Sequence, residues 1–195
     1  ENLKDLEAAV VKHGCDLGVA FDGDGDRVVF VDERGRPISG DLAGALMAQE
    51  LLKREGGGTV LYDVRASRAL VEAVRRAGGR AVETRVGHSH IKAGLRREKA
   101  AMGAELSGHY YFRDFFCSDS GETAMFLVLT QLSRSDRAVS ELIAPLQLFH
   151  HSGEINFHVT DPQRTVAAIE ARYAAQAKNI SKVDGVSVDF GSWWF

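Results

Sequence analysis

The stretch GGGTVLYDVRASRALVEAVRRAGGRAVETRVGHSHIK, residues 56–92, changes its hydrophobic period several times. TVLYDV (Thr59 to Val64) is an apolar run of strand length, and Ala66 to Ala77 then follows helical spacing. Arg80 to Thr84 is again a strand, and after the loop VGHS a helix over Ile91 to Lys99 is expected. Alternation of this βαβ kind predicts a sheet covered by helices. Working outward, Leu42, Leu46, Leu51 and Leu52 suit a helix from Gly40 that the triplet Gly56 to Gly58 ends. On the other side come strands at Gly103 to Leu106 and His109 to Phe112, then helices at about Gly121 to Leu132 and Val139 to Leu146.

Nearer the amino end, Leu3, Leu6 and Val10 recur at helical spacing before Gly14, so the opening reads as a helix cut close to its start. Leu17 to Phe21 and Val28 to Val31 are apolar runs either side of DGDGDR, with turn-like ERGRP after them: strand, loop, strand. A second unit begins near His150. It reads strand (Glu154 to Thr160), helix (Pro162 to Asn179), strand (Val186 to Phe190), and then Ser192, Trp193, Trp194 and Phe195. Three large aromatics there are expected to need partners from elsewhere, as in a truncated unit.

The chain has 195 residues, 45% hydrophobic and 26% charged, enough for a self-sufficient core without disulfide or zinc. With 24 basic against 27 acidic residues, the net charge of −3 argues against nucleic acid or an anionic membrane as partner. Cys15 and Cys117 sit in no CxxC or Cys/His cluster, and no apolar run approaches the ~18 residues of a membrane span. A soluble, cytoplasmic protein is expected.

In DGDGDR the carboxylates Asp22, Asp24 and Asp26 alternate with Gly23 and Gly25, which lets the backbone curl until three oxygens face one point. Like charges this close call for a cation, and hard oxygen donors mean magnesium or calcium. Three readings compete. An EF-hand loop would place Glu33 at its twelfth position, but needs glycine where Arg27 stands and helices where strands are expected. A haloacid-dehalogenase-type phosphatase would use Asp22 as nucleophile and Asp24 as acid, yet Asp26 stands where its threonine belongs.

The third reading is a resemblance. VAFDGDGDR (residues 19–27) looks like the metal loop of the α-D-phosphohexomutases, the phosphomannomutase/phosphoglucomutase family. TRVGHSHIK (Thr84 to Lys92) is similar to that family's Gly-His-Ser-x-Ile-Lys segment, and AELSGHYYF (Ala104 to Phe112) to its sugar-recognition loop. The three blocks stand in the family's order and span much of the chain.

The resemblance implies an α/β fold: the end of domain 2 with the metal loop (1–36), domain 3 as a mixed sheet between helices with the sugar loop (37–149), and the truncated start of an α+β domain 4 (150–195). It implies an enzyme that interconverts hexose 1-phosphate and hexose 6-phosphate, mannose or glucose, through a phosphoserine and a bisphosphate. Asp22, Asp24 and Asp26 would ligate one Mg2+, and hexose 1,6-bisphosphate would act as activator. Arg27 would contact the phosphoryl group. Glu105 and Ser107 would bind sugar hydroxyls with His109 close by, and Lys92 would join them in substrate binding.

Free imidazole titrates near pH ~6.5, so His88 and His109 suit proton exchange with a sugar hydroxyl. Arg65, where some family members carry lysine, keeps the charge but makes a poor base, which suits phosphate contact or electrostatic stabilisation. The family's phosphoserine loop and its carboxyl-terminal phosphate loop do not occur in these residues, so the segment alone is expected to be inactive. A noncatalytic calcium module stands as the alternative.

Overall fold

The computed structural model describes residues 3–195 and divides into two compact units, Glu1–His150 and His151–Phe195. In the first, helix α1 (Lys4–His13) ends on Gly14 and leads to an antiparallel sheet of β1 (Leu17–Phe21), β2 (Val28–Asp32) and β3 (Pro37–Ile38). ERGRP therefore does more than turn: Gly35 takes φ +75°, and β3 returns along β2 with Ile38 opposite Phe30.

Asp32 holds that corner. Its carboxylate accepts from the Arg34 and Arg36 backbone N–H groups at 3.0 and 2.9 Å and from Arg36 Nε at 2.8 Å. Burial pushes the carboxyl pKa up, but the Arg36 guanidinium and these N–H groups outweigh it and hold it below the usual range. A folded pKa below the unfolded one means that the stabilisation is complete above about pH 4 and is lost as pH falls through the depressed value. Asp32→Asn should therefore cost about 1 to 2 kcal/mol at pH 7. Urea unfolding should show that gap closing as pH falls below about 4; an undiminished gap in acid would contradict the account.

Next come α2 (Gly40–Glu55), β4 (Gly58–Asp63), α3 (Arg68–Arg76), β5 (Gly79–Thr84), α4 (His88–Glu98), β6 (Met102–Ala104), β7 (Tyr110–Phe112), β8 (Ser118–Asp119), α5 (Gly121–Ser133), α6 (Val139–Ile143) and a 3-10 turn, Ala144–Leu146. The strands form one mixed sheet in the order β5-β4-β6-β7-β8: β4 is parallel to β5 and β6, and β7 is antiparallel to β6 and β8.

The two-residue period of β4 decides the layers. Val60 and Tyr62 pack into a cluster with Leu46, Leu52, Leu70, Val74 and Val128 from α2, α3 and α5, while Leu61 meets Ile91 and Leu95 of α4 with Tyr111. Both faces are thus covered, which is why TVLY carries no outward polar alternation. The α/β class with a mixed sheet between helices is as expected.

Element ends differ from the sequence reading at two functional places. α4 begins at His88, three residues earlier than Ile91, because Gly87 at φ +118° supplies the N-cap. β6 stops at Ala104, which leaves Glu105 and Leu106 to start a loop.

The second unit departs more. Residues 154–160 form no strand: Ile155, Phe157 and Val159 alternate as a strand would, but are exposed, and no described residue offers them a ladder. Helix α7 (Pro162–Tyr173) starts as expected, with Asp161 accepting from Arg164 N at 3.0 Å, but ends six residues before Asn179. There β9 (Asn179–Ser181) pairs with β10 (Ser187–Asp189) through a turn at Gly185. The terminal aromatics find partners within the unit: Trp193 stacks on Phe190 at 4.2 Å between centroids, and Phe195 meets Tyr173 edge-on at 5.4 Å. Among the described residues no helix is long and apolar enough to cross a membrane.

Candidate active site

DGDGDR is the tip of the β1–β2 hairpin, closed by Asp22 N donating to Arg27 O at 3.4 Å, with Gly25 at φ +78° making the bend. One carboxylate oxygen from each of Asp22, Asp24 and Asp26 lies within 4.8 Å of the others. Arg27 turns back on Asp22, its Nε donating at 2.7 Å and its backbone N–H at 3.2 Å. That hydrogen bond and charge hold the Asp22 carboxyl below its ordinary pKa, so it stays ionised and able to accept a cation. Asp24 is exposed.

The loop after β6 is zipped to this hairpin. Arg27 and His109 form an antiparallel bridge, and Val28 N donates to Gly108 O at 3.0 Å. Gly108 sits at φ +90°, where a Cβ would come within 2.8 Å of Val28 O, so the junction requires glycine. A Cβ on Gly121 would likewise approach Gly25 O to 2.8 Å; α5 starts directly against the acidic loop.

This junction delivers His109 to the carboxylates, with Nε2 3.5 Å from Asp26 Oδ1. Its other nitrogen, Nδ1, lies 2.9 Å from Ser107 Oγ and 3.2 Å from Glu105 Oε2. His88, on the first turn of α4, packs its ring 4.6 Å from that of His109, and its Nδ1 is 2.9 Å from Asp119 Oδ2. Lys92, one helical turn on, places Nζ 2.8 Å from Asp119 Oδ1 and 5.8 Å from the Tyr111 ring centre. Burial pushes the Asp119 pKa up, but Lys92 and His88 together hold it below the ordinary carboxylate value.

Glu105 is placed differently from a simple surface sugar reader. Only 2% exposed, it accepts from Gly87 N with Oε1 at 2.8 Å and from the Tyr111 hydroxyl with Oε2 at 2.9 Å. Burial and the Glu105 charge both push the Tyr111 phenol upward, so it remains a donor. Glu105 thereby ties the His88 helix cap, His109 and β7 into one piece. A carboxylate has about four lone-pair positions, which leaves room for a sugar hydroxyl beside these donors.

Arg65 is held by Asp63 at the end of β4, Nη2 to Oδ2 at 2.8 Å, and the same oxygen accepts from Leu106 N at 2.9 Å. The fully buried Asp63 therefore fixes both Arg65 and the start of the Glu105 loop. Neither Asp63 nor Asp119 was singled out in the sequence, nor was Tyr111. The local signal is an acid near the end of the buried run TVLYDV. A hollow of about 580 Å³ beside Asp16, Leu132 and Arg137 contains none of these residues.

The EF-hand reading fails on geometry. Strands flank the loop, and Glu33 is engaged by the hydroxyl and backbone N–H of Ser140.

Comparisons with known proteins agree with this arrangement. The family described as phosphoglucomutase/phosphomannomutase, alpha/beta/alpha domain III, matches residues 39–149, and the corresponding domain II matches residues 1–35. Phosphohexose mutases of Xanthomonas campestris are 42% identical over the whole chain, which covers 44% of their length. The phosphomannomutase of Escherichia coli K12 is 38% identical over 98% of the chain and 42% of its own. A crystal structure of a phosphoglucomutase/phosphomannomutase family protein from Burkholderia thailandensis superposes with a TM-score of 0.83 at 30% identity, over 99% of this chain and 42% of that one. The chain thus spans less than half the length of these relatives. Matched through both domains and along its whole length, the chain belongs to the phosphoglucomutase/phosphomannomutase family.

Proposed function

We propose that this segment supplies the metal loop and the sugar loop of a cytoplasmic phosphohexomutase that interconverts hexose 1-phosphate and hexose 6-phosphate, with mannose or glucose as the hexose. In this reading residues 1–36 end domain 2, 37–149 are domain 3 and 150–195 begin domain 4. The observation that carries it is the junction of three loops from separate parts of the chain, where Asp26, His109, His88 and Glu105 meet beside the Asp22–Asp24–Asp26 triad.

The donor set of the triad is all oxygen and strongly anionic, which fits one Mg2+. Bound there, the ion would neutralise charge on a transferring phosphoryl group. The chain's own residues do the rest. Arg27 keeps Asp22 ionised and adds positive charge at the loop. The proton of the attacking sugar hydroxyl passes to an imidazole Nε2, since Nδ1 of each histidine is already engaged, by Asp119 in His88 and by Ser107 and Glu105 in His109. As the hydroxyl oxygen bonds to phosphorus, the bond to the phosphoserine oxygen breaks. A hexose 1,6-bisphosphate results, which returns its other phosphate to the serine after reorienting. Lys92, Ser107 and Arg65 position the sugar and its phosphate.

The test is turnover. The longer protein carrying this segment, given magnesium and catalytic hexose 1,6-bisphosphate, should convert mannose 1-phosphate or glucose 1-phosphate into the 6-phosphate. The 195-residue polypeptide alone should not, having no phosphoserine loop in its sequence. A full-length protein inert toward both sugars would overturn the reading.

A further inference from the structure

The acidic triad shares Asp26 with a second donor set of different chemistry. Asp26, His88, His109 and Asp119 each bring one ligand atom within 4.8 Å of the other three, from four separate segments: the β1–β2 loop, the first turn of α4, the residue before β7, and β8. We propose that these four side chains form a site for a borderline-soft divalent transition ion, zinc foremost, that competes with the all-oxygen triad for Asp26. The inference rests on the donors alone and goes beyond the mutase reading.

Two imidazole nitrogens with two carboxylate oxygens suit zinc, whereas magnesium prefers oxygen throughout. Bonds of about 2.0 to 2.2 Å in a tetrahedron separate ligand atoms by roughly 3.3 to 3.6 Å. Asp26 Oδ1 and His109 Nε2 already stand 3.5 Å apart. The 2.9 Å pair between His88 Nδ1 and Asp119 Oδ2 would open by about half an ångström. The exposed His88 side chain can make that adjustment.

The surroundings are prepared as well. A zinc-bound histidine characteristically donates its second ring N–H to a carboxylate, and His109 has Glu105 Oε2 at 3.2 Å from Nδ1, which directs Nε2 to the metal position. Lys92 takes Asp119 Oδ1 and leaves Oδ2 toward the histidines. Arg27, next to Asp26, is engaged by Asp22. An ion in the tetrad would withdraw Asp26 from the triad and both imidazoles from proton exchange. If the mutase reading holds, zinc is therefore an inhibitor that acts on acid–base residues and not only on the magnesium loop.

The probe is cobalt(II), whose visible spectrum reports tetrahedral nitrogen and oxygen ligation, together with zinc competition against a chelating dye, on the 195-residue chain. The native chain should give a tetrahedral cobalt spectrum that zinc abolishes. Asp24→Asn, outside the tetrad, should keep it. His88→Ala should weaken zinc by more than the roughly 10- to 100-fold that outer-shell changes cost. Circular dichroism would confirm that this variant of an exposed residue is folded. As a second readout, zinc should shift the imidazole NMR signals of His88 and His109. The proposal is overturned if binding follows His150 and His151, being lost in their double alanine variant, if Asp24→Asn abolishes it while His88→Ala does not, or if no tetrahedral spectrum forms.

Discussion

If the proposed mutase reading holds, Asp24→Ala in the longer protein should lower kcat by more than about 100-fold for mannose and glucose 1-phosphates alike, with KM little changed. Of the three loop carboxylates, Asp24 isolates metal chemistry best. Asp22 also anchors Arg27, and Asp26 faces His109, so their loss would disturb neighbours. Asp24 is exposed, and removing it should change stability by less than about 0.5 kcal/mol. On the proposed mutase reading, the charge that Asp24 would help to neutralise is on the phosphoryl group, which every hexose substrate would share, so no sugar preference should appear. Steady-state kinetics on both 1-phosphates, with magnesium titrations and thermal melts, checks this. A loss confined to one sugar, or one explained by unfolding, would refute the assignment of Asp24 to the metal.

The acidic loop is legible because it is local: its three carboxylates and two glycines lie within six consecutive residues. His88 and His109 were legible through their blocks, but their mutual contact was not, since it depends on the Arg27–His109 bridge and on Gly108. Asp119 is not legible in the sequence, for a physical reason. It lies 31 residues beyond its partner His88 and reaches it only because β8 pairs with β7 at the sheet edge. Asp63 reads as part of the strand TVLYDV, and nothing in that run shows that it receives Leu106 N from 43 residues away. In the second unit, alternation at Ile155, Phe157 and Val159 predicts a strand correctly as a pattern and wrongly as a structure, because pairing needs a neighbour that periodicity does not provide. The converse error hid β9. The helical reading extends through Lys178 to Asn179, where β9 begins instead and the Asp184-Gly185 turn folds β10 back onto it.

Glu105→Ala should be the most damaging single change to the sugar loop, and it should act in two ways that separate experimentally. The first is structural: the Gly87 N–H and the Tyr111 hydroxyl lose their acceptor. The buried Tyr111 hydroxyl left unmet costs about 1 to 3 kcal/mol and the half-buried Gly87 N–H less, so melting should fall by roughly 3 to 15 °C for a unit of this size. The second is catalytic. With Glu105 gone, His109 loses the carboxylate beside Nδ1 and, on the proposed reading, the sugar would lose a charge-assisted acceptor, so kcat/KM should fall about 10- to 150-fold. Magnesium affinity and serine phosphorylation should persist, because the Gly87 N–H and the Tyr111 hydroxyl donate to none of the three loop carboxylates and His109 approaches only Asp26, at 3.5 Å. Tyr111→Phe provides the control, removing one structural donor while leaving the carboxylate in place. If it matched the alanine variant in kcat/KM, Glu105 would be a brace for β7 alone. If Glu105→Ala were kinetically silent at temperatures where it is folded, the loop would not read the sugar.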